Sequence, residues 1–400
     1  VKNKVFSIVQ FTLYNNKGRV TGIVFMLITF AAVFYSFKSA DDRSEKLAIN
    51  LKWNKAYEGE DWDNMRTGIL WSLSFLGAAL PEGSLNKAIE FKQDTFHFTL
   101  HVDRLGFNKA AEDALILIID SLKQSEEYTK TGSIDVARFF VLTLHSTYHY
   151  YAITGAEQTL QQFKDNHPFA SPKKFLLLNS GVAKHNRKIT FHKPSDALQL
   201  AFIAEESDDS VTSPHFHPYA FEVSALMPNG QMRYAVYNED GTLAGASPAK
   251  FGVAGKPGKC LWCHEIVIQR LYYVTDEVEG EMNSCEFEEH VQDCQDLLEA
   301  YRATLKTDVK YQNRQDHTQA ELLYISFMEP SAERLANEWQ MKKEEVLVLL
   351  KNRPTHPHEE FKFLGDLYNR TYIDSIAPFN SLRVPQSVRE PSEYEPNLFR

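Results

Sequence analysis

The sequence predicts an α+β protein in a set order: an N-terminal membrane anchor helix, a mostly helical domain, a β-rich middle domain and a helical C-terminal domain. Three observations predict it. Residues 20–37 form an 18-residue apolar run without a charge. Apolar residues recur at helical spacing on either side of the middle of the chain. Between them the pattern switches to short alternating runs closed by turn residues.

The run from Val20 to Phe37 lies between Arg19 and Lys38 and is long enough to cross a bilayer as one helix or to serve as a signal segment. Ser36-Phe37-Lys38 and Ser39-Ala40 fit a cleavage site poorly, so an uncleaved signal anchor is expected over 20–37, with 1–43 as cytoplasmic segment plus anchor. Export after signal cleavage is the alternative. Lys2, Lys4, Lys17 and Arg19 precede the run and Lys38, Arg43, Lys46 and Lys52 follow it, so cation asymmetry does not orient the chain.

Residues 44–165 are expected to form the helical domain. Met65, Ile69, Leu70, Leu73 and Leu76 give one helical face from Asp63 to Leu80, stopped by Pro81 and Gly83. Thr95 to Val102 alternates Phe96, Phe98, Leu100 and Val102 with His97, Thr99 and His101, the pattern of a strand. Asn108 is placed to cap a second helix, and Ser133 a third running through Phe139, Phe140 and Leu144 to Gly155.

The β-rich domain is expected over 170–265. Phe175–Leu178, Ile189–His192, Leu198–Ala204, Tyr219–Met227, Gln231–Tyr237 and Thr242–Ala246 are its candidate strands. Asn229-Gly230 between two of these runs is a strong hairpin signal. Residues 266–382 are expected to be helical, over about 285–306, 316–327, 332–351 and 358–373, leaving 383–400 as a proline-rich tail. Asn283 with Glu286 three residues later has the form of a capping box. Ser331 to Leu350 has the outline of a helix-turn-helix with Gln340-Met341 at the turn. Its second helix opens Lys342-Lys343-Glu344-Glu345 without a basic reading face, so it reads as a plain helical hairpin.

Composition narrows the function. Of 400 residues, 43% are hydrophobic and 24% charged, ordinary for a globular chain. The formal charge of −10 argues against a nucleic-acid partner, which needs clustered cations to displace counterions from phosphate. There is no phosphate-cradling glycine loop and no G-x-S-x-G. His264-Glu265 is followed by Ile266-Val267-Ile268, so it does not begin an H-E-x-x-H zinc site.

The sharpest chemical signal is Cys260-Leu261-Trp262-Cys263-His264, a C-x-x-C-H preceded by the turn Gly255-Lys256-Pro257-Gly258-Lys259. Two thiols at this spacing reach the two vinyl groups of one porphyrin, and the next residue offers an imidazole to the iron. Over these five residues the chain resembles the c-type cytochromes. The resemblance implies a covalently bound haem c on Cys260 and Cys263 with His264 as proximal ligand. It also implies a role in electron transfer or in redox or gas sensing, a redox partner protein, and a body facing the periplasm from the bacterial inner membrane. Haem proteins of the cytochrome P460 type are similar in placing C-x-x-C-H after a β-rich domain. For a sixth ligand the first choices are His217 and Met328, with Met227, Met232, Met282 and His215 behind them.

Two other readings stay open. His145 and His149 lie four apart on the expected third helix, and His97 and His101 share one strand face; together they are the ligands of a possible metal-dependent enzyme. Alternatively, Cys260 and Cys263 form a dithiol or half a structural zinc site in a non-catalytic envelope protein. Cys285 and Cys294, nine apart on one helix and so about 13.5 Å apart on opposite faces, cannot complete that zinc site jointly.

Overall fold

The computed structural model describes residues 42–400 except 93, 95, 168, 170–172, 178–185, 192–195, 251–254, 265–266, 269–276, 314, 388–389 and 391–393. Residues 1–47 and 48–400 are separate units. Of the first, only 42–47 are described: a helical turn over 42–46, with Lys46 paired to Asp42 at 3.1 Å. The expected membrane anchor helix over 20–37 is corrected here. Among the described residues no helix is long and apolar enough to cross a membrane, and 20–37 lies outside them. The fold class is α+β without that element.

In the second unit, Ile49 and Leu51 alternate with Asn50 and Lys52, which makes Ala48–Lys52 (β1) a strand with one buried face. It lies inside a four-stranded sheet ordered β2-β3-β1-β4, with Ile89–Phe91 as β2, His97–His101 as β3 and Ile134–Asp135 as β4. The expected strand at 95–102 is β3, with Leu51 opposite Phe98 and Ile49 opposite Leu100.

Helices pack around this sheet. Trp62–Phe75 (α1) starts at Asp61, whose carboxylate accepts from Asn64 N, and ends before Gly77, which has φ 91°, short of the expected Leu80. Ser84–Ala88 (α2) follows. Lys109–Lys123 (α3) is capped by Asn108, as expected, and turns Leu115, Ile118, Ile119 and Leu122 inward. Ser125 caps Glu126–Thr131 (α4). The expected single helix from Ser133 to Gly155 is two helices. Ile134-Asp135 pairs with β1, and Asp135 caps Val136–Thr143 (α5), its carboxylate accepting from Ala137 N and Arg138 N. The chain breaks at Leu144–Ser146 and resumes as Thr147–Thr154 (α6), closed by Gly155 at φ 69°. Leu160–Asn166 (α7) ends this stretch.

The second sheet has five antiparallel strands in sequence order: Phe175–Leu177 (β5), Asn186–Phe191 (β6), Ala201–Ser207 (β7), Ala220–Leu226 (β8) and Met232–Asn238 (β9). Gly230, at φ 89°, closes the β8–β9 hairpin through Met227 N to Gln231 O at 2.8 Å. Asn229 at its tip donates to Ser74 O and Ala78 O, so the hairpin also satisfies carbonyls at the end of α1. The expected strand at 242–246 is reduced to single bridges, Thr242 with Thr159 and Leu243 with Tyr237. The outer edge of β9 is covered by α6: Tyr150 and Tyr151 accept hydrogen bonds from Tyr234 N and Val236 N.

After the sheet come Pro257–Cys263 (α8), Ser284–Thr304 (α9), Thr318–Met328 (α10), Ala332–Trp339 (α11) and Lys343–Leu349 (α12). The capping box of Asn283 and Glu286 forms, and Gln340, at φ 55°, makes the turn of the helical hairpin. The expected helix over 358–373 is replaced by one turn at Lys362–Leu364 and the short Arg370–Ile373 (α13). Gly365, at φ 76°, interrupts it, and Leu367 exchanges backbone bonds with His356 instead. Gly68 of α1 lies so close to α10 that a Cβ there would sit 2.8 Å from Gln319 O.

Early and late helices are joined by a buried ion network. Glu338 of α11 takes Arg334 at 2.7 Å and Arg370 at 2.7 Å, Arg334 also pairs with Asp135 at 2.9 Å, and Arg138 pairs with Glu127 at 2.9 Å. The guanidinium carbons of Arg138, Arg334 and Arg370 lie 4.0–5.4 Å from the Phe327 ring centroid.

Candidate functional site

The register of β6–β9 places Arg187, Ile189, Phe202, Ala204, Glu222, Ser224, Met232 and Tyr234 on one sheet face. Over that face lie α8 and the first half of α9. Phe287 of α9 stacks on Phe175 at 4.0 Å with the rings 6° from parallel. Cys260 and His264 line a mostly apolar cleft left between the two layers, opposite Tyr234, Met232 and Glu222.

Local sequence explains why the C-x-x-C-H stretch is helical. Pro257 at the first helical position needs no N–H partner, and His264 closes the helix by donating its backbone N–H to Cys260 O at 2.9 Å. Three residues apart on a helix, Cys260 and Cys263 share a side. Lys256, just before the helix, is 1% exposed and donates to Ser387 O at 2.8 Å while pairing with Glu395. Glu395 also accepts from Thr147 N, so the expected tail ties α8 to the start of α6. His264 stacks on Tyr234 with centroids 5.8 Å apart.

Electrostatics give the cleft one polar end. Arg187 pairs with Glu206 and, at 3.2 Å, with Glu222; Ser247 donates to Glu206 from the other side. Glu222 Oε1 and Arg187 Nε have no hydrogen-bond partner among the described residues. Burial pushes the Glu222 carboxyl up to about 7, opposed by Arg187 and reinforced by Glu206. Burial, then the neighbouring Glu222 and Cys263, push the Cys260 thiol up.

Of the residues singled out from sequence, Cys260 and His264 reach this cleft. His217 does not line it: it is exposed and bonded to Glu239 at 2.8 Å. Met328 is buried at the end of α10 and does not line it either; the thioether in the wall is Met232. The four histidines of the metal reading lie apart. His97 pairs with Asp94 and His101 with Glu90. His149 is held between Leu142 O and Leu398 N. His145 falls in the break between α5 and α6, which removes the one-face geometry, and packs against Trp262 and Tyr324. Among the described residues no group of three or more His, Cys, Asp or Glu is placed to hold a metal ion. The four cysteines form no disulfide; Cys285 is exposed and Cys294 buried on α9.

Arg187, Glu206, Glu222 and Tyr234 did not stand out in the sequence. The one available signal is a charge inside an otherwise apolar strand, Glu222 in Ala-Phe-Glu-Val-Ser-Ala-Leu, and alternation alone would turn it toward solvent.

The residue types match those that hold a covalent haem, two thiols on one side of a helix and an imidazole directly after them, but only Cys260 and His264 of the three line the cleft. The cavity between the described residues is about 170 Å³, smaller than the ~300–1,000 Å³ of common cofactor pockets, so a porphyrin does not fit between α8 and the sheet as they lie. No family model matches the chain, and neither a curated protein nor a solved structure matches it.

Proposed function

We propose that this chain is a monohaem c-type cytochrome-like protein, with Cys260 and Cys263 as thioether anchors and His264 as the proximal iron ligand, serving electron transfer or redox or gas sensing. The observation that carries the reading is the placement of the C-x-x-C-H helix over an apolar sheet face, with Cys260 and His264 in the wall of one cleft. A bound haem supplies a one-electron couple and an iron able to take a small ligand. The chain's own residues do the rest. Ile189, Phe202, Met232, Phe287 and Val291 exclude water from the cleft, Tyr234 orients His264 by stacking, and Lys256 with Glu395 fixes the start of the helix. Electrons then need a redox partner protein, and the c-type resemblance puts the body on the periplasmic side.

A redox dithiol fits less well. A reactive thiol needs a lowered pKa, whereas burial raises that of Cys260. The test is expression with export in a host that matures c-type cytochromes, followed by a pyridine haemochrome spectrum of the denatured protein. A c-type band that survives denaturation and is lost in Cys260→Ala/Cys263→Ala is the expected result. A colourless protein beside a matured control cytochrome would overturn the reading.

A further inference from the structure

We propose that the cleft between α8 and the sheet binds a small organic cation, a primary ammonium on an apolar body of about six to eight carbons. A buried group with one more carboxylate than guanidinium closes one end of a space that is otherwise apolar and aromatic. The inference goes beyond the haem reading and does not rest on it: it uses the space that α8 leaves on the sheet and needs no thioether.

Size limits the body of the ligand. The cleft holds about 170 Å³. An apolar cavity of about 150 Å³ admits benzene, so the body is one ring or a short alkyl chain. The walls are Ile189 from β6, Phe202 from β7, Met232 and Tyr234 from β9, and Phe287 and Val291 from α9, with Cys260 and His264 closing the space from α8. Aromatic faces suit a ring, and they attract a cation placed over them.

Charge selects the head group. Arg187 pairs with both Glu206 and Glu222, so one guanidinium serves two carboxylates. Glu206 is 1% exposed, is held from its other side by Ser247, and does not line the cleft. Glu222 does line it, with 13% of its side chain exposed. Its Oε2 meets Arg187 at 3.2 Å, and its Oε1 has no hydrogen-bond partner among the described residues. Oε1 is closed to water as the cleft stands, but the last torsion of a glutamate is broad, so a small turn brings that oxygen to a donor in the cleft. No described lining residue other than Arg187 carries a fixed positive charge. The Glu222 carboxyl, pushed up to about 7, bears the mark of the same shortage, because the shared Arg187 offsets its burial only in part. A ligand ammonium supplies the missing charge and three N–H donors. A ligand carboxylate or phosphate would add a second unmatched anion, and a neutral alcohol would leave the excess charge in place.

The experiment is isothermal titration calorimetry of the full chain in mildly alkaline buffer, with benzylammonium and benzyl alcohol as probes. The two share a shape and differ in charge. Benzylammonium should bind on the order of ten-fold more tightly than benzyl alcohol. Glu222→Gln keeps the shape of the wall and removes its charge, so it should bring the two affinities together. Glu205→Gln is the control: Glu205 lies on the opposite face, bound to Lys174 at 2.9 Å, and should leave both affinities in place. If Glu222→Gln does not fold, Glu206→Gln removes the same net charge from the group and should narrow the gap in the same way. Equal binding of the two probes by the wild-type chain, no binding of benzylammonium, or a preference for it that persists in Glu222→Gln overturns the inference. None of these outcomes reads the haemochrome spectrum, so failure of the haem reading is told apart from failure of this one.

Discussion

Glu222 carries a carboxyl that burial and Glu206 raise and Arg187 lowers, with a net value of about 7. An acid with a folded-state value above its ordinary 4.5 holds its proton longer in the folded protein than in the unfolded chain. Its contribution to stability is full below 4.5 and is lost as pH rises through about 7. Glu222→Gln removes that dependence. Relative to wild type, the variant should gain on the order of 3 kcal/mol between about pH 4 and pH 8. Urea unfolding at the two pH values checks this, and parallel curves for the two proteins would contradict it. The residue scale also separates histidines by their partners. His149 is a buried hydrogen-bonding hub whose basicity burial lowers, and His145 is a ring packed on Trp262, so neither needs a metal to explain its place.

Among elements, α8 depends most on a distant segment. It is one short helix, and an isolated helix of that length is not stable in water. Its start is held by Lys256, whose buried ammonium is paired with Glu395 from the C-terminal tail. Glu395→Ala leaves that cation without its carboxylate and should cost about 3 kcal/mol. The same variant should raise amide exchange through 257–264 while the β8–β9 hairpin stays protected, a pattern that hydrogen-exchange mass spectrometry resolves. Uniform exchange across both would show that the tail is not a specific clamp on α8. The break between α5 and α6 is the complementary case. Asp135 caps the first helix and Gly155 ends the second, while Ser146 at the break turns its hydroxyl back to Val141 O, and these local contacts outweigh the continuous apolar spacing that suggests one long helix.

At the scale of the molecule, the unit from 48 to 400 is held together by charge as well as by apolar packing. Glu338 is 4% exposed and sits among three guanidiniums that connect α5, α11 and α13. Arg370, Arg334 and Arg138 together outweigh its burial and hold its carboxyl down from 4.5 to about 2. A depressed carboxyl contributes stability that is present above 4.5 and lost as pH falls through about 2, so acid should unfold the protein within that window. Glu338→Ala leaves buried arginines without their shared partner and should cost about 3–5 kcal/mol at neutral pH. It should also flatten the acid limb of the stability curve; an unchanged acid limb would assign the acid response to other carboxylates. Glu127 works against this trend, since burial raises its carboxyl, despite Arg138.

The sequence by itself determined the features written in short-range chemistry. Asn108, Asn283 with Glu286, and Gly230 each specify a cap or a turn through groups a few residues away, and each forms where expected. The strands between Phe175 and Tyr237 were legible as short apolar or alternating runs, although the run expected from Leu198 opens as a helical turn at Ala197–Gln199 and becomes a strand only over Ala201–Ser207. The motif Cys260-Leu261-Trp262-Cys263-His264 was legible as a donor set. Tertiary structure decided the rest. Alternation cannot say what covers the second face of a strand, so the inward Glu222 and the Arg187–Glu206 pair were invisible until α8 and α9 were placed. Spacing cannot say which histidines meet, and the sheet, the helix break and the tail send His97, His145 and His149 to different partners. Contacts between residues far apart in the chain, such as Lys256 with Glu395 and Asp135 with Arg334, 139 and 199 residues apart, leave no local trace in sequence because either partner alone reads as an ordinary surface charge.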